Sequence, residues 1–378
     1  MNKRIIISLL AAFFIPYLGF SQIENKLSFE TLGGYEYNYF KSPEEVRVNG
    51  AIITKENLMA SSILQDISAN YTLTNKWNRN NRFRFFAKPS ARIFYENIKD
   101  SYWSVNLKTK YDHKINRNTK ILAEAKIIRM NREGLGGDQD VLINPLGYTL
   151  YGGSLGVDFE VFKDNEFRTA LFYNFKNFDS YGMRDLQFDE FGIEISNAQK
   201  FGVGELRHEI GIDVYIKKRL YDTFNASDLI TDGERNWDYA KAMMFYELPF
   251  SKQFKVKPNF VYYLRKDNTA DRSGFNQFGP GVFVKYDNDK TKISSSFSFI
   301  TRNYKSIEAR NTEVKIGETL KYEYVNFGID VSHEIRNDFW ITATINSKIR
   351  NTNYTDIDAR SFRNYRNQYI GVGVLWEL

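Results

Sequence analysis

The chain contains no cysteine, only three histidines and only seven prolines among its 378 residues. Without cysteine it can form neither disulfides nor thiolate metal sites, and lipid attachment through an N-terminal cysteine is excluded. The net charge of +6 is small for a chain with 26% charged residues, so the composition gives no case for nucleic-acid binding. Pro-rich or Ser-rich linkers are also missing, which predicts a single folded domain.

Long apolar runs are almost absent as well. The one clear run, Ile5 to Leu18, is too short to cross a bilayer comfortably as a helix. A pair of cationic residues precedes it and small residues follow it, which is typical of a secretory signal peptide. We therefore expect residues 1–21 to be a signal peptide cleaved between Ser21 and Gln22, and residues 22–378 to be one domain.

What the sequence has in abundance is alternation between apolar and polar residues. One such segment carries its apolar positions at Trp103, Val105, Leu107, Thr109 and Tyr111. A period of two gives a strand with one face toward an apolar medium and the other toward water. Segments of at least ten residues are long enough to cross a bilayer as tilted strands. The pattern predicts an all-β fold: a transmembrane antiparallel up-and-down β-barrel with short periplasmic turns and long external loops.

Fifteen segments of this kind can be recognised directly, but a bacterial barrel with both ends in the periplasm needs an even number. The parity rule predicts one more strand between Phe178 and Glu205, and Phe191 to Ser196 supplies it. We place a periplasmic turn after it, at Asn197 to Val203, and a long external loop at Arg219 to Asp238. Sixteen strands are expected, with fourteen and eighteen as alternatives.

Aromatic residues concentrate at the two ends of the predicted apolar face. This arrangement is typical of bilayer-spanning barrels, whose amphipathic rings lie at headgroup depth, and it argues against a soluble sandwich or propeller. At the outer ends the rings are Tyr37, Tyr39, Tyr95, Trp103 and Tyr151, and at the inner ends Tyr71, Phe83, Tyr111, Phe159, Tyr286, Phe339 and Trp376.

On these residues the mature chain resembles a porin-like Gram-negative outer-membrane β-barrel, and its "FSQ" junction and richness in Tyr, Asn and Lys are similar to proteins of Bacteroidota. The final strand resembles the C-terminal signal read by the barrel-assembly machinery, carried by Tyr369, Trp376 and Leu378. It departs from the usual pattern because the chain ends on Leu378, with the aromatic residue two places earlier. The resemblance implies a location in the cell outer membrane and contact with its lipid and lipopolysaccharide. It specifies no substrate.

An enzymatic role is not expected. Outer-membrane lipases and deacylases pair a His with a Ser two residues on, so that the imidazole can activate the hydroxyl. Here His113, His208 and His333 are each followed at that spacing by isoleucine. All three are predicted near periplasmic strand ends. The aspartates between residues 222 and 232 lack the spacing of an EF-hand, so no metal site or cofactor is expected.

The interior of a sixteen-stranded barrel is too wide for side chains to fill. Predicted inward positions on strands three to five carry Arg84, Lys88, Arg92, Lys108 and Lys110. One interpretation is a basic wall that favours anions. The other is ion pairing with inward acids of neighbouring strands. The third external loop, Asn131 to Gly147, carries Glu133, Asp138 and Asp140, which would face the basic residues if this loop folded into the lumen.

Two functions remain open. The first is a porin-like channel for passive passage of small hydrophilic solutes, with weak anion preference. The second is a non-enzymatic accessory barrel in an outer-membrane complex or homo-oligomer, with its lumen occluded by loops. Apolar residues in the first long loop, Lys41 to Asn57, and just beyond it favour the second: Ala51, Ile52, Ile53, Leu58 and Met59.

Overall fold

A computed structural model describes residues 22–132, 135–136, 142–144, 146–180, 186–223, 235–268, 274–312 and 314–378. The signal peptide expected at 1–21 lies outside these residues. Sixteen strands close into one antiparallel barrel, as the alternation and the parity rule predict. Among the described residues, no helix is both long and apolar enough to span a membrane.

The strands are numbered in chain order. They are β1 (Gln22–Tyr37), β2 (Glu45–Val48), β3 (Ala51–Thr54), β4 (Ser62–Lys76), β5 (Asn81–Phe94), β6 (Tyr102–Lys114), β7 (Thr119–Asn131), β8 (Leu135–Gly136), β9 (Leu142–Asn144), β10 (Tyr148–Phe159), β11 (Asn165–Phe178), β12 (Gln187–Val203), β13 (Leu206–Thr223), β14 (Arg235–Pro249), β15 (Phe254–Asp267), β16 (Phe275–Asp287), β17 (Thr291–Asn311), β18 (Val314–Arg336), β19 (Phe339–Thr352) and β20 (Tyr365–Glu377). Two pairs, β2–β3 and β8–β9, are small hairpins outside the barrel wall. A short helix α1 (Lys55–Leu58) and a 3₁₀ turn (Ile98–Asp100) complete the regular elements.

Each barrel strand pairs with its neighbours in the chain, and β1 pairs with β20 to close the wall. Both ends of the chain's barrel region lie at one end of the barrel, together with the short connections; we call this the turn end. These connections are residues 77–80, 115–118, 160–164, 204–205, 250–253, 288–290 and 337–338. The remaining connections lie at the opposite end, the loop end. The predicted division into short turns and longer loops is confirmed, with one exception at the loop end, where β17 ends at Asn311 and β18 already begins at Val314.

The outward face of the barrel is apolar. Large side chains such as Ile67, Leu155, Leu171 and Ile216 are about half exposed there, at 47%, 60%, 64% and 58%. Exposed apolar surface of this extent is stable against lipid rather than water. Successive side chains of a strand point to opposite faces, so the residues between these positions face the lumen.

The predicted turn at Asn197 to Val203 is wrong, because these residues belong to β12. The chain reverses one step later, where Gly204 has φ +60° and Val203 pairs with Leu206. Amide side chains, Asn197 and Gln199, interrupt the apolar outward positions of β12 before Phe201 and Val203 resume them, so the apolar–polar contrast weakens although the strand continues.

The predicted loop at Arg219 to Asp238 is also too long. Strand β13 extends to Thr223, and β14 already begins at Arg235. Where a strand extends beyond the apolar part of the outward face, both of its faces contact water. Its residues then need not alternate between apolar and polar, so the sequence pattern does not predict this part of the strand.

Candidate site in the lumen

The basic residues predicted on strands three to five lie on the lumen side, but most of them are paired. Arg84 lies 2.8 Å from Asp112, whose other partner is Arg82 at 2.6 Å. Glu124 binds Lys110 at 2.9 Å and approaches Lys108 at 3.8 Å. Among the described residues, Lys88 has no carboxylate within 4 Å. Of the two interpretations, ion pairing with acids of neighbouring strands therefore describes this part of the wall better than a basic wall that attracts anions.

Arg92 is the centre of a charged cluster that spans β1, β4, β5 and β20. Its guanidinium binds Asp66 through two hydrogen bonds and Glu36 through a third, all 2.7 Å long. The Tyr369 hydroxyl donates to Asp66 at 3.2 Å, and its ring lies along the wall over Gly371, where a Cβ would overlap the hydroxyl. Tyr369 thus faces the lumen, opposite in direction to the outward Trp376 and Leu378 with which it was grouped.

The acids predicted to narrow the lumen, Glu133, Asp138 and Asp140, lie outside the described residues. Inward folding of the third loop stays a prediction. The structure instead describes an inward fold in the last loop, residues 353–364. Its Tyr354 and Ala359 are buried against lumen-facing rings of β16, β17 and β18.

The first loop is attached to this last loop across the β1–β20 seam. The Asn38 amide donates to the carbonyl oxygens of Ser42 and Arg366, at 2.8 and 2.9 Å. Arg360 in turn donates to the Ser42 hydroxyl at 3.0 Å. Two loops from opposite ends of the chain therefore fold together at the loop end.

Tyr39, predicted in the outer aromatic girdle, belongs to this loop assembly. Its ring stacks on Phe94 with centroids 4.3 Å apart, and its hydroxyl donates to Asp100 at 2.6 Å. Burial raises the pKa of Tyr39 above its usual range. Among the first loop's apolar residues, Leu58 is buried, whereas Ile52 on the β2–β3 hairpin is 56% exposed.

Half of the lumen wall near the loop end carries a continuous chain of aromatic rings, which we call the aromatic arc. Neighbouring ring centroids are 5.0 to 6.2 Å apart, the range of favourable aromatic contacts. The arc runs from β11 to β18 through Phe178, Phe188, Tyr221, Trp237, Tyr239, Tyr263, Phe275, Tyr304, Tyr322 and Tyr324.

Cations alternate with these rings. In the strand register, Tyr239 lies directly opposite Arg265, which lies opposite Phe275. The Arg265 guanidinium is 4.5 Å from the Trp237 centroid and 4.4 Å from that of Phe275, and Arg302 is 4.3 Å from Phe275 on the other side. Cation–π contacts of this kind hold the two guanidinium groups in place against the rings.

The charge balance differs from that of the opposite wall. Arg219 is neutralised by Glu190 at 2.6 Å. Arg302, however, donates to the neutral Gln277 amide oxygen at 2.9 and 2.7 Å. In the part of the chain that the structure describes, neither Arg302 nor Lys241 has a carboxylate within 4 Å.

A cleft of about 420 Å³ opens on the β13–β17 part of the arc. Its lining includes Tyr239, Lys241, Tyr263, Arg265, Phe275 and Arg302. Sequence analysis missed this site because aromatic residues were assigned to the lipid face. The signal was present in the alternation, since these rings occupy inward positions of their strands.

The three histidines lie on the outward face near the turn end. His113, His208 and His333 contact the side chains of Asn81, Tyr246 and Thr291, at 2.8, 2.7 and 2.9 Å. Across the described ranges, no group of three or more His, Asp or Glu side chains is arranged to hold a metal ion.

No protein-family model and no curated protein matches the chain. Among solved structures it is similar to the alcaligin outer-membrane receptor FauA from Bordetella pertussis, at 12% identity and TM-score 0.45, covering 93% of this chain but 58% of the receptor. It is similar to a bacterial polysaccharide outer membrane secretin, at 10% identity and TM-score 0.45, covering 94% and 98%. It is also similar to a mutant of the Rh. blastica porin, at 11% identity and TM-score 0.36, covering 94% and 100%. The chain thus spans little more than half the length of the receptor.

Proposed function

We propose that this chain is an outer-membrane channel through which small hydrophilic solutes pass passively, with a weak preference for anions. A closed sixteen-stranded wall encloses a lumen too wide for its side chains to fill. The observation that supports anion preference is the unneutralised charge of Lys88, Lys241 and Arg302. In a confined lumen, cations without counter-charges raise the local concentration of anions.

We also propose which molecules contact the outside of the barrel. Lipid and lipopolysaccharide would contact the outward face, and the barrel-assembly machinery would read the outward side chains of the last strand, Trp376 and Leu378. No enzymatic role is proposed, since the histidines lie at the turn end, away from the cleft.

The test is the reversal potential of the purified barrel in a planar bilayer with a KCl gradient. We expect discrete conductance steps and a reversal potential displaced toward that of chloride. Changing both Lys241 and Arg302 to Gln should reduce the displacement. Changing the already paired Arg84 to Gln is the matched control and should have a smaller effect. A conducting barrel without chloride preference would contradict the anion part of the proposal.

A second candidate function is that of an accessory barrel occluded by its loops. The joined first and last loops, with Ile52 exposed on the β2–β3 hairpin, favour it specifically. A wild-type barrel that never conducts, together with a conducting variant lacking residues 355–361, would support this second function over the first.

A further inference from the structure

We propose that the cleft in the aromatic arc is a binding site for acidic sugars, meaning saccharides that carry carboxylate or sulfate groups. This inference names a class of solute for the proposed channel. The transport of that solute rests on the proposed function, whereas its binding does not. Binding itself can be measured on a barrel that does not conduct.

The Tyr263 ring, which is only partly buried, supplies the surface on which a sugar ring can lie, and the buried Tyr239 and Phe275, 4% and 3% exposed, pack beside it. Tyr263 is in contact with Tyr239 on one side and Phe275 on the other, with centroids 5.8 and 5.6 Å apart. Pyranose rings present apolar C–H faces that pack on aromatic faces. Tyrosine adds a hydroxyl at the edge of such a surface, so one side chain can both stack and form a hydrogen bond.

The cations of the cleft supply the complement to an acidic group. Arg302 binds the neutral Gln277 and Tyr304, and Lys241 lies 5.9 Å from the Tyr215 ring. A guanidinium matches a carboxylate or sulfate with parallel hydrogen bonds, which are about twice as strong as hydrogen bonds between neutral groups.

The combination selects against simpler ligands. Inorganic anions would bind to the cations of the cleft but would gain no binding energy from contact with its aromatic rings. Aromatic acids would use both, but they lack the hydroxyl groups with which a saccharide can form hydrogen bonds to the polar edges of the cleft. Hydroxylated acidic rings satisfy all three kinds of group. The cleft volume, about 420 Å³, lies in the range of small-molecule sites.

The last loop leaves this part of the arc accessible. Tyr354 and Ala359 belong to the cluster that buries Phe275 at one edge of the cleft, whereas Tyr215, Tyr239 and Lys241 line the cleft further along the arc, on β13 and β14. A solute that enters past the loops therefore meets the cleft next to the covered rings, so the arc provides both a closed and an open section.

The test is titration calorimetry of the full barrel in detergent with trigalacturonate, maltotriose and benzoate as probes. We expect trigalacturonate to bind at least tenfold more tightly than either of the others. Arg302→Gln should weaken trigalacturonate binding about tenfold, as loss of one charge-assisted contact does. Lys241→Gln should act in the same direction, and Tyr263→Leu, which removes the aromatic face and keeps an apolar side chain, should also weaken binding.

Arg168→Gln is the matched control, because Arg168 faces the lumen but lies outside the cleft and near Asp158, at 3.7 Å. Its affinity for trigalacturonate should equal that of the wild type. Heat-modifiable mobility checks that each variant is folded.

Several results would overturn the inference: equal binding of maltotriose, binding of benzoate as tight as that of trigalacturonate, absence of trigalacturonate binding, or equal weakening by Arg168→Gln and Arg302→Gln. The channel and the site can fail separately. A conducting barrel that does not bind trigalacturonate retains the channel and loses the site. A barrel that binds trigalacturonate without conducting retains the site and loses the channel.

Discussion

Arg92 on β5 and Asp66 on β4 face each other through two hydrogen bonds of 2.7 Å, the fork-to-fork geometry of a guanidinium and a carboxylate. The third bond, to Glu36 on β1, extends the interaction across three adjacent strands. A residue expected to attract anions is thus neutralised by two carboxylates. Its main effect is on the cohesion of the wall next to the closing seam.

Replacing Arg92 with Gln should therefore destabilise the barrel, since two partly buried carboxylates would lose their charged partner. We expect a loss of about 1 to 3 kcal/mol in the free energy of unfolding, measured from urea titrations followed by heat-modifiable mobility. The double variant Arg92→Gln with Asp66→Asn should recover part of the loss. A fall in anion selectivity with unchanged stability would instead return Arg92 to the pore-lining role.

Trp376 lies on the outward face near the turn end, opposite Phe29 and Phe339 on the flanking strands. Replacing it with Asp places a charge where lipid begins, at a cost of a few kcal/mol at most, and should reduce assembly. The amount of heat-modifiable barrel in the outer membrane measures this, with Trp376→Phe as the control. If the Asp variant is present in unchanged amounts, Trp376 is not needed for recognition of the last strand during assembly.

The two ends of the barrel can be distinguished by labelling, because the chain has no cysteine of its own. Glu205→Cys introduces a thiol in the turn between β12 and β13, and Lys99→Cys introduces one at the loop end. In intact cells, an impermeant maleimide should label only the second. Labelling of the Glu205→Cys variant would reverse the orientation of the barrel.

The loop that sets the conductance can be identified by two deletions. If the third loop narrows the lumen, deleting Leu135 to Asp140 should raise conductance, and replacing Asp138 and Asp140 with Asn should raise anion selectivity. Because the last loop packs on lumen-facing rings, we expect deletion of residues 355–361 to raise conductance by more. Equal conductance of this second deletion and the wild type would exclude the last loop as the constriction.

The strands were predictable because a lipid-facing wall imposes a period of two over ten or more residues, and because the parity rule revealed β12. Their ends were less so: β13 and β14 continue above the apolar band, where neither face needs to be apolar. The aromatic arc was not predicted because aromatic residues were assigned to the lipid face, although Tyr239 and Tyr263 occupy inward positions of their strands. The position of Tyr354 depends on contacts with distant strands, which no local pattern encodes.

The bond from the Asn38 amide to the Arg366 carbonyl joins residues 328 positions apart. Contacts of such sequence separation form slowly, because the intervening chain must first be brought into place. The contacts between the first and last loops can therefore form only after residues 353–366 have been synthesised, and a chain truncated before them would have its first loop without its partner. Closure of the seam therefore requires that the chain has been synthesised as far as β20.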